Sequence, residues 1–554
     1  MKIYNISKSL LYKINLEHQL IPITLILIIF NYTKQSIVIF YQKLIFSQNS
    51  PSILFSIFEP LNSKYLFVKY LGMMGLFLSI VYLFFYKNIS WKLTIENKNL
   101  KIFIFILVMF LTWKYSFSEY NYYLGSFYLV DRIILILLTI LVFFSPVFIP
   151  IYLVLITVVA AQMNFPFGGY SLTDEKLFWE ILILVSIFSF LKIYFKDLKV
   201  KHLLLLIIVI HASNYFYPGL KKIQLSPNGY EWSLFMDLHH YFHSSHARGW
   251  LHFIDQDKLD MFAKFFSRFN SFGNSISTLI QLSAILILFN KRFAIIMCLL
   301  FEVLHITVLL ATGINFYKWI LFNISLLWLI SRKNIEFDKY IFSNKAVKVI
   351  SVILILLAPQ FMKPVWLGWY MPKSINRFHF EIETVSNKVY ELMPNDFGPY
   401  QKTFAFQRFH KILPENIKLL NKDVGAIALN NKVYENLGIE NEWQFRQLLN
   451  STGKENILNL MDQKGVNIYD KNYEDKFDKF IYDYFKNLNI YIKENGKRNR
   501  HILLPISHIY ARVRNNFNFE EEVSKLKISF KISYIDEDKA NILREYDIKE
   551  YRFN

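Results

Sequence analysis

The chain of 554 residues has one cysteine, Cys298, and it lies inside an apolar run. An intramolecular disulfide and a cysteine metal cluster are therefore excluded, and any metal would have to be held by His and carboxylates. No Gly-rich phosphate loop, Gly-x-Ser-x-Gly elbow or His-Glu-x-x-His motif is present, so nucleotide-driven transport and zinc proteolysis lack their signatures. Inverted repeats and paired broken helices, the marks of many solute transporters, are missing too. No small-residue cleavage site closes the apolar stretch after Lys2, Lys8 and Lys13, and this stretch reads as a retained anchor rather than a secretory signal.

Acidic residues are in deficit, 43 Asp and Glu against 62 Lys and Arg, for a formal net charge of +19. The basic residues are scattered and recur between apolar runs, as lipid-flanking charges do, so no nucleic-acid partner is expected. What the chain has in excess is apolar surface: 54% of residues are hydrophobic and 18% aromatic, with a mean hydropathy of +0.26. Its solvent is expected to be the bilayer, with membrane lipids as partners.

Runs long enough to cross about 30 Å of hydrocarbon start near Leu20, Leu66, Leu100, Leu129, Val147, Lys176, Lys201, Ile276, Arg292, Asn315 and Lys345. The first is interrupted by Asn31, Lys34 and Gln35, and the fourth and fifth are joined by the short Ser145-Pro146 turn, which sets a range of about nine to eleven helices. Lys and Arg collect after alternate spans: Lys87 to Lys101, Lys196 to Lys201, Lys291 with Arg292, and Arg332 to Lys345. The positive-inside rule then predicts a cytoplasmic N-terminus and cytoplasmic basic loops, with 218–275 and everything after Pro364 on the outer side. Beyond Pro372 the composition turns polar. Arg377 to Tyr390, His501 to Val513 and Leu526 to Ile535 read as strands, and Glu435 to Lys493 as helical. The expected architecture is an all-α multi-pass membrane domain over 1–365, followed by a mixed α/β extramembrane, non-cytoplasmic domain over 366–554.

The residues with most chemical content lie at the end of the seventh run, Asn214-Tyr215-Phe216-Tyr217-Pro218-Gly219-Leu220-Lys221-Lys222-Ile223, with Gly229-Tyr230-Glu231-Trp232 just after. Downstream, Glu302 and His305 precede Thr312-Gly313 and Phe316-Tyr317. This order resembles the vitamin K-dependent γ-glutamyl carboxylases and the wider bacterial HTTM (horizontally transferred transmembrane domain) family. The resemblance covers roughly residues 20 to 360 and is specific only between His211 and Trp328. It implies that Lys222 is the base that deprotonates vitamin K hydroquinone; oxygenation of the quinol gives a strong alkoxide base, which takes a γ-proton from glutamate, and CO2 adds to the carbanion. It further implies catalytic roles for His305 and Glu302, cofactor contacts from Tyr215, Lys221 and His211, and reduced vitamin K or another quinone as cofactor. The region after the membrane spans shows no counterpart of the carboxylase C-terminal part.

The residues themselves admit two readings. An ammonium of reference pKa about 10.4 acts as a base near neutrality only where an apolar surround and a second cation disfavour its charge. A Lys pair just past a helix end is more commonly an interfacial anchor. His305 lies one turn after Glu302 on the same helical face, and ionisable groups at such depth cost about 2.5 to 3.5 kcal/mol each on insertion. That pair is either a site or an internal hydrogen bond that locks helix packing. His211, Glu180 and Asp131-Arg132 have the same two readings, the last as the start of an interfacial helix. The spacing of His239, His240, His243, His246 and His252 would let His239, His243 and His246 hold a transition metal. The companion histidine boxes of membrane di-iron enzymes are absent, however, so no metal is expected. An amphipathic interfacial helix anchored by Trp250 and Phe253 is expected instead.

Two functions follow. One is an enzyme at the outer face acting on a lipophilic cofactor or substrate, with Lys222 as base and His305 as its hydrogen-bonding partner. The other is a non-catalytic scaffold or lipid-binding protein whose C-terminal domain recruits an exported protein partner.

Overall fold

The computed structural model describes residues 2–45, 90–167, 175–195, 197–247, 254–312, 316–332, 335–407, 409–422, 425–498, 520–536 and 539–553. The membrane part is built from α1 (Lys2–Ile45), α2 (Lys98–Ser116), α3 (Leu129–Phe144), α4 (Ile149–Gln162), α5 (Lys176–Tyr194), α6 (Val200–Gln224), α7 (Asn270–Leu282, continued by a 3-10 turn Ser283–Leu288), α8 (Lys291–Thr312), α9 (Tyr317–Ser331) and α10 (Lys345–Leu356). Six are long and apolar enough to cross a membrane: α1 over Pro22–Ile45, α2, α5, α6, α7 with its continuation, and α8 over Lys291–Ala311. The runs expected at Leu129, Val147, Asn315 and Lys345 are helices of 16, 14, 15 and 12 residues, shorter than the roughly 20 residues a perpendicular crossing needs. The run at Leu66, Lys87, Lys333, the strand expected at His501 to Val513, and Trp250, His252, Phe253 and Gly313 lie outside the described residues.

The exposed faces show why the bundle needs lipid. On α8, Ile296, Leu299, Val303, Ile306 and Leu310 are exposed at alternating spacings of three and four, and on α3 so are Ile133, Leu137, Ile140 and Phe144. Such stripes are one continuous helical face, and here that face points away from the protein core. α6 is the opposite case, buried on every side from Leu203 to Tyr215, which places it at the centre of the bundle. Asp131 and Arg132 are not surface charges at a helix start. The Asp131 carboxylate accepts from Gln162 Nε2 at 2.5 Å, and Arg132 donates to the carbonyls of Ser118 (2.6 Å) and Glu119 (3.2 Å), which stitches the loops at this end of the bundle together.

The two ends of the bundle differ. At one end the basic connections meet. Lys192 donates to the Thr94 carbonyl at 3.3 Å, Lys201 faces Glu336 at 3.9 Å, and Lys291 pairs with Asp338 at 3.0 Å. At the other end the loops 117–128, 163–167 and 225–247 carry the C-terminal region. There, four antiparallel strands, β1 (Ser374–Thr384), β2 (Val389–Leu392), β3 (Val523–Asp536) and β4 (Lys539–Arg552), form a sheet of order β2-β1-β3-β4. β1 and β3 run together in register from Ser374 opposite Tyr534 to Thr384 opposite Val523, with one bulge. The expected strands at Arg377 to Tyr390 and Leu526 to Ile535 fall in β1, β2 and β3. The expected helical stretch holds α11 (Asn431–Leu437), α12 (Glu442–Ser451), α13 (Gly453–Lys464) and α14 (Lys471–Asn495). α14 is started by the Asp470 side chain, which accepts from Tyr473 N, and is stopped by Gly496 at φ +72°, a left-handed conformation that suits glycine. Its buried stripe, Phe477, Phe480, Ile481, Tyr484, Phe485, Leu488 and Ile492, repeats at helical spacing.

The core under this sheet does not close on itself. Tyr122, Phe167, Trp232, Met236 and Tyr241, from loops between membrane helices, belong to the same buried cluster as Phe378, Phe404, Phe480 and Phe530. Polar ties cross the same boundary: Arg498 pairs with Glu119 at 2.7 Å with both side chains buried, Asn121 donates to Tyr400 Oη at 3.1 Å, and Arg446 pairs with Asp237 at 2.7 Å. Removing one partner of a buried ion pair strands the other charge and costs about 3 to 5 kcal/mol. Arg498→Ala is therefore expected to lower the unfolding temperature and to open the C-terminal region to limited proteolysis while the membrane helices stay protected; unchanged proteolysis would show that the pair contributes nothing.

Candidate functional site

The site begins with a close helix approach. Gly219 on α6 faces α7, and a Cβ there would lie 3.0 Å from Gln281 Cβ and from Leu282 N, so only glycine allows the two backbones to come this near. One turn on, Lys222 is directed at α7, and its Nζ donates to Ser277 Oγ at 2.8 Å and sits 4.2 Å above the Trp232 ring. Among the described residues no carboxylate pairs with it. Lys221 points the other way, 3.7 Å from Glu442 on α12. The linker leaving the bundle passes over both lysine stems, where a Cβ on Gly368 would stand 3.3 Å from Lys221 Cγ and 3.4 Å from Lys222 Cγ.

These elements enclose a cavity of about 160 Å³, a size that in other proteins admits a benzene-scale ring. α6 contributes Asn214, Tyr215, Pro218 and Lys222; α7 Ser277 and Gln281; α8 Leu304, His305 and Val308. Phe316 and Trp319 close it from α9, Trp232, Leu238 and Tyr241 from the loop after α6, and Val365 with Leu367–Trp369 from the linker. Most of the lining is aromatic or aliphatic, with the Lys222 amine set into it. Trp232 is tied to the linker by its Nε1, which donates to the Trp369 carbonyl at 3.0 Å.

Of the residues singled out from sequence, Lys222, His305 and Tyr215 line this cavity; Glu302, His211 and Lys221 do not. The expected hydrogen bond between Lys222 and His305 does not form. His305 Nδ1 is 3.3 Å from Tyr215 Oη, which also accepts from Asn323 Nδ2 at 2.8 Å. Tyr215 and Lys222 are seven residues apart on one helix, about 10 Å of rise, so a histidine level with Tyr215 sits two turns below the amine. Glu302 and His305 do share a face, as their spacing requires, and the Glu302 carboxyl lies near the Asn323 amide without a well-formed hydrogen bond.

Several participants carried no sequence signal. Asn214 Oδ1 accepts from Lys176 Nζ (2.9 Å) and Val365 N (3.1 Å), while its Nδ2 donates to Glu180 Oε2 at 3.3 Å. Lys34 pairs with the same Glu180 and donates to the Met362 carbonyl. Lys34 interrupts the first apolar run in the sequence; in the fold it and Lys176 hold the start of the linker. Glu175 is likewise shared by Lys114 and Lys318. Glu180 was visible as a charge within an apolar run, but its partners lie up to 146 positions away in the chain and no spacing reveals them.

The histidine loop does not gather metal ligands, which corrects the alternative reading of its spacing. His239 Nδ1 is 2.6 Å from Asn270 Nδ2, and His243 Nδ1 faces Asp260 at 3.7 Å. Among the described residues no three His, Cys, Asp or Glu groups converge on a common point. His240, His243 and His246 share the helix His240–Ala247, but Asp260, which His243 faces, comes from a second helix, Gln256–Ser267, and Asn270, which meets His239, from α7. In Gln256–Ser267, Met261, Phe262, Phe265 and Phe266 are exposed while Leu259 and Ala263 pack on Phe242, the two-faced pattern of a helix lying at a membrane interface.

Family models, curated proteins and solved structures give no match to the chain.

Burial, with the nearby His239, His243, Lys373 and Arg446, holds the His240 imidazole well below its ordinary pKa. A group neutral in the folded state binds a proton only on unfolding, so stability is full above the unfolded pKa of about 6.5 and falls as pH drops below it. The unfolding temperature is expected to decline between pH 7.5 and pH 5 and the decline to flatten in His240→Phe; an equal slope in both proteins would assign the acid sensitivity elsewhere.

Proposed function

We propose that the chain is a multi-pass membrane enzyme that uses Lys222 as a base on a lipophilic, quinone-like ligand near the outer face. The observation that carries this reading is an amine with no carboxylate partner among the described residues, set into an aromatic cavity. A lysine serving only as an anchor would snorkel to the headgroups, whereas Lys222 is buried against Trp232. The donor set suits a planar ring: stacking surfaces from Trp232, Trp319 and Phe316, and polar contacts from Lys222 at one level and Tyr215 with His305 at the other. A reduced quinone in that position supplies an acidic hydroxyl and reducing equivalents. Lys222 Nζ takes the hydroxyl proton, Ser277 fixes the direction of the amine, and the linker and Trp232 keep bulk water from the reacting end. Carboxylation of a peptide glutamate, the activity of the carboxylases this segment resembles, is the most specific form of the reading; oxidation of another lipid-like molecule by the same base is the broader form.

The shorter helices α3, α4, α9 and α10, with the run at Leu66, would complete about eleven crossings if tilted or locally thinned bilayer accommodates them. Placing the basic end in the cytoplasm follows the positive-inside rule and puts the N-terminus inside and the C-terminal region outside, within reach of an exported protein.

Two measurements test the proposal. Solvent extracts of the purified chain should contain a quinone by mass spectrometry. Lys222→Met should keep the wild-type melting temperature while quinol-dependent oxygen uptake falls by about 10² to 10⁴, the usual contribution of a positioned base. A Lys222→Met protein that is poorly inserted or less stable but has undiminished turnover would make Lys222 an anchor and leave the scaffold reading.

A further inference from the structure

Beneath the cavity floor, three helices turn polar side chains toward one another: His211 and Tyr215 from α6, Glu302 and His305 from α8, and Asn323 from α9. All are at least nine-tenths buried. Tyr215, His305 and Asn323 are linked directly, but both ring nitrogens of His211, both carboxyl oxygens of Glu302 and Oδ1 of Asn323 have no hydrogen-bond partner among the described residues. The aromatic rings around His211, those of Tyr215, Phe301 and Phe322, give it contact but no acceptor. Unpaired buried polar atoms each cost about 1 to 3 kcal/mol. Five in one small volume are not sustained by a packed bundle, and buried water with about three hydrogen bonds each is what ordinarily satisfies such groups.

We propose that this nest holds internal water and forms a proton route from the cavity to Glu302. Tyr215 and His305 belong to the cavity lining and to the nest alike, so no further residue is needed to join the two. A proton accepted by the His305 ring on its cavity side is balanced by release of the Nδ1 proton to Tyr215 Oη. The tyrosine hydroxyl proton passes through water to a Glu302 oxygen. The carboxylate becomes a carboxylic acid, Tyr215 is again a neutral phenol, and His305 is left as its Nε2–H tautomer, which returns to the Nδ1–H form by a ring flip before the next transfer. The titratable groups within electrostatic reach of Glu302 and this chain are His211, Tyr215, Cys298 and His305. The inference deepens the proposed function by giving the proton removed in the cavity a destination, and its test requires no turnover, so either idea can fail alone.

The test is infrared spectroscopy of the full chain in lipid nanodiscs, with the Glu302 carboxyl stretch assigned by its loss in Glu302→Gln. Between about pH 4 and about pH 9 the band should appear on acidification. After transfer to heavy water it should shift within minutes. His305→Gln and Asn323→Leu, each checked for a wild-type melting temperature, should slow that shift by about tenfold or more. A wild-type band that does not exchange over hours would mean a dry packing pair. Exchange as fast in both variants as in the wild type would mean that Glu302 is reached from elsewhere, and absence of the band at every pH would mean that it takes no proton; each of these overturns the proposal.

Discussion

α6 crosses the centre of the bundle with His202, His211, Asn214, Tyr215 and Lys222 along its length, and neighbouring helices cover it on almost every side. Bulk water does not reach these groups, so protein neighbours or trapped internal water must satisfy them. Asn214 is met by Lys176 and Glu180 from α5 and by the linker backbone, Tyr215 by Asn323 and His305, and Lys222 by Ser277 and Trp232. The partners come from several different elements, and together they fix how α5, α7, α8 and α9 surround α6. The cavity is the volume this packing leaves where α6 approaches α7 at Gly219 and then parts from it.

The same interactions connect the cavity to the C-terminal region. The linker that begins at Met362 is held by Lys34 and Lys176, supplies part of the cavity lining through Val365 and Gly368, and then enters β1. Lys221 and Asp237, on either side of the cavity mouth, pair with Glu442 and Arg446 of α12. Any displacement of the sheet and its helices is thus felt within one or two residues of Lys222.

Local pattern made much of this legible. The apolar runs behind the six long helices, the helical stretch that holds α11 to α14, and the alternation in β1 and β3 depend on residues a few positions apart, and these elements appear where expected, whereas the runs at Leu129, Val147, Asn315 and Lys345 form shorter helices. The aromatic and Lys-pair segment at 214–223 marked the correct part of the cavity, because Pro218, Gly219 and Lys222 act through one stretch of helix. Glu302 and His305 fell on one face as their spacing demands. The link from His305 to Lys222 failed because chain order says nothing about height along neighbouring helices, and two turns separate the amine from the imidazole. The alternative metal reading of the histidine loop failed for a related reason: spacing does not show that His239 and His243 are met by Asn270 and Asp260 from later helices.

By itself, the sequence determined that this chain carries helices apolar enough for a bilayer and that one short segment concentrates unusual chemistry, since each of these rests on composition or on spacing within a single element. Only the tertiary structure decided that Lys222 is enclosed rather than snorkelling, that Lys34 and Lys176 share Glu180, and that Asn323 joins Tyr215 and His305. Those are meetings between helices distant in the chain, and a buried charge or amide reveals its partner only once packing has brought the two within hydrogen-bonding reach.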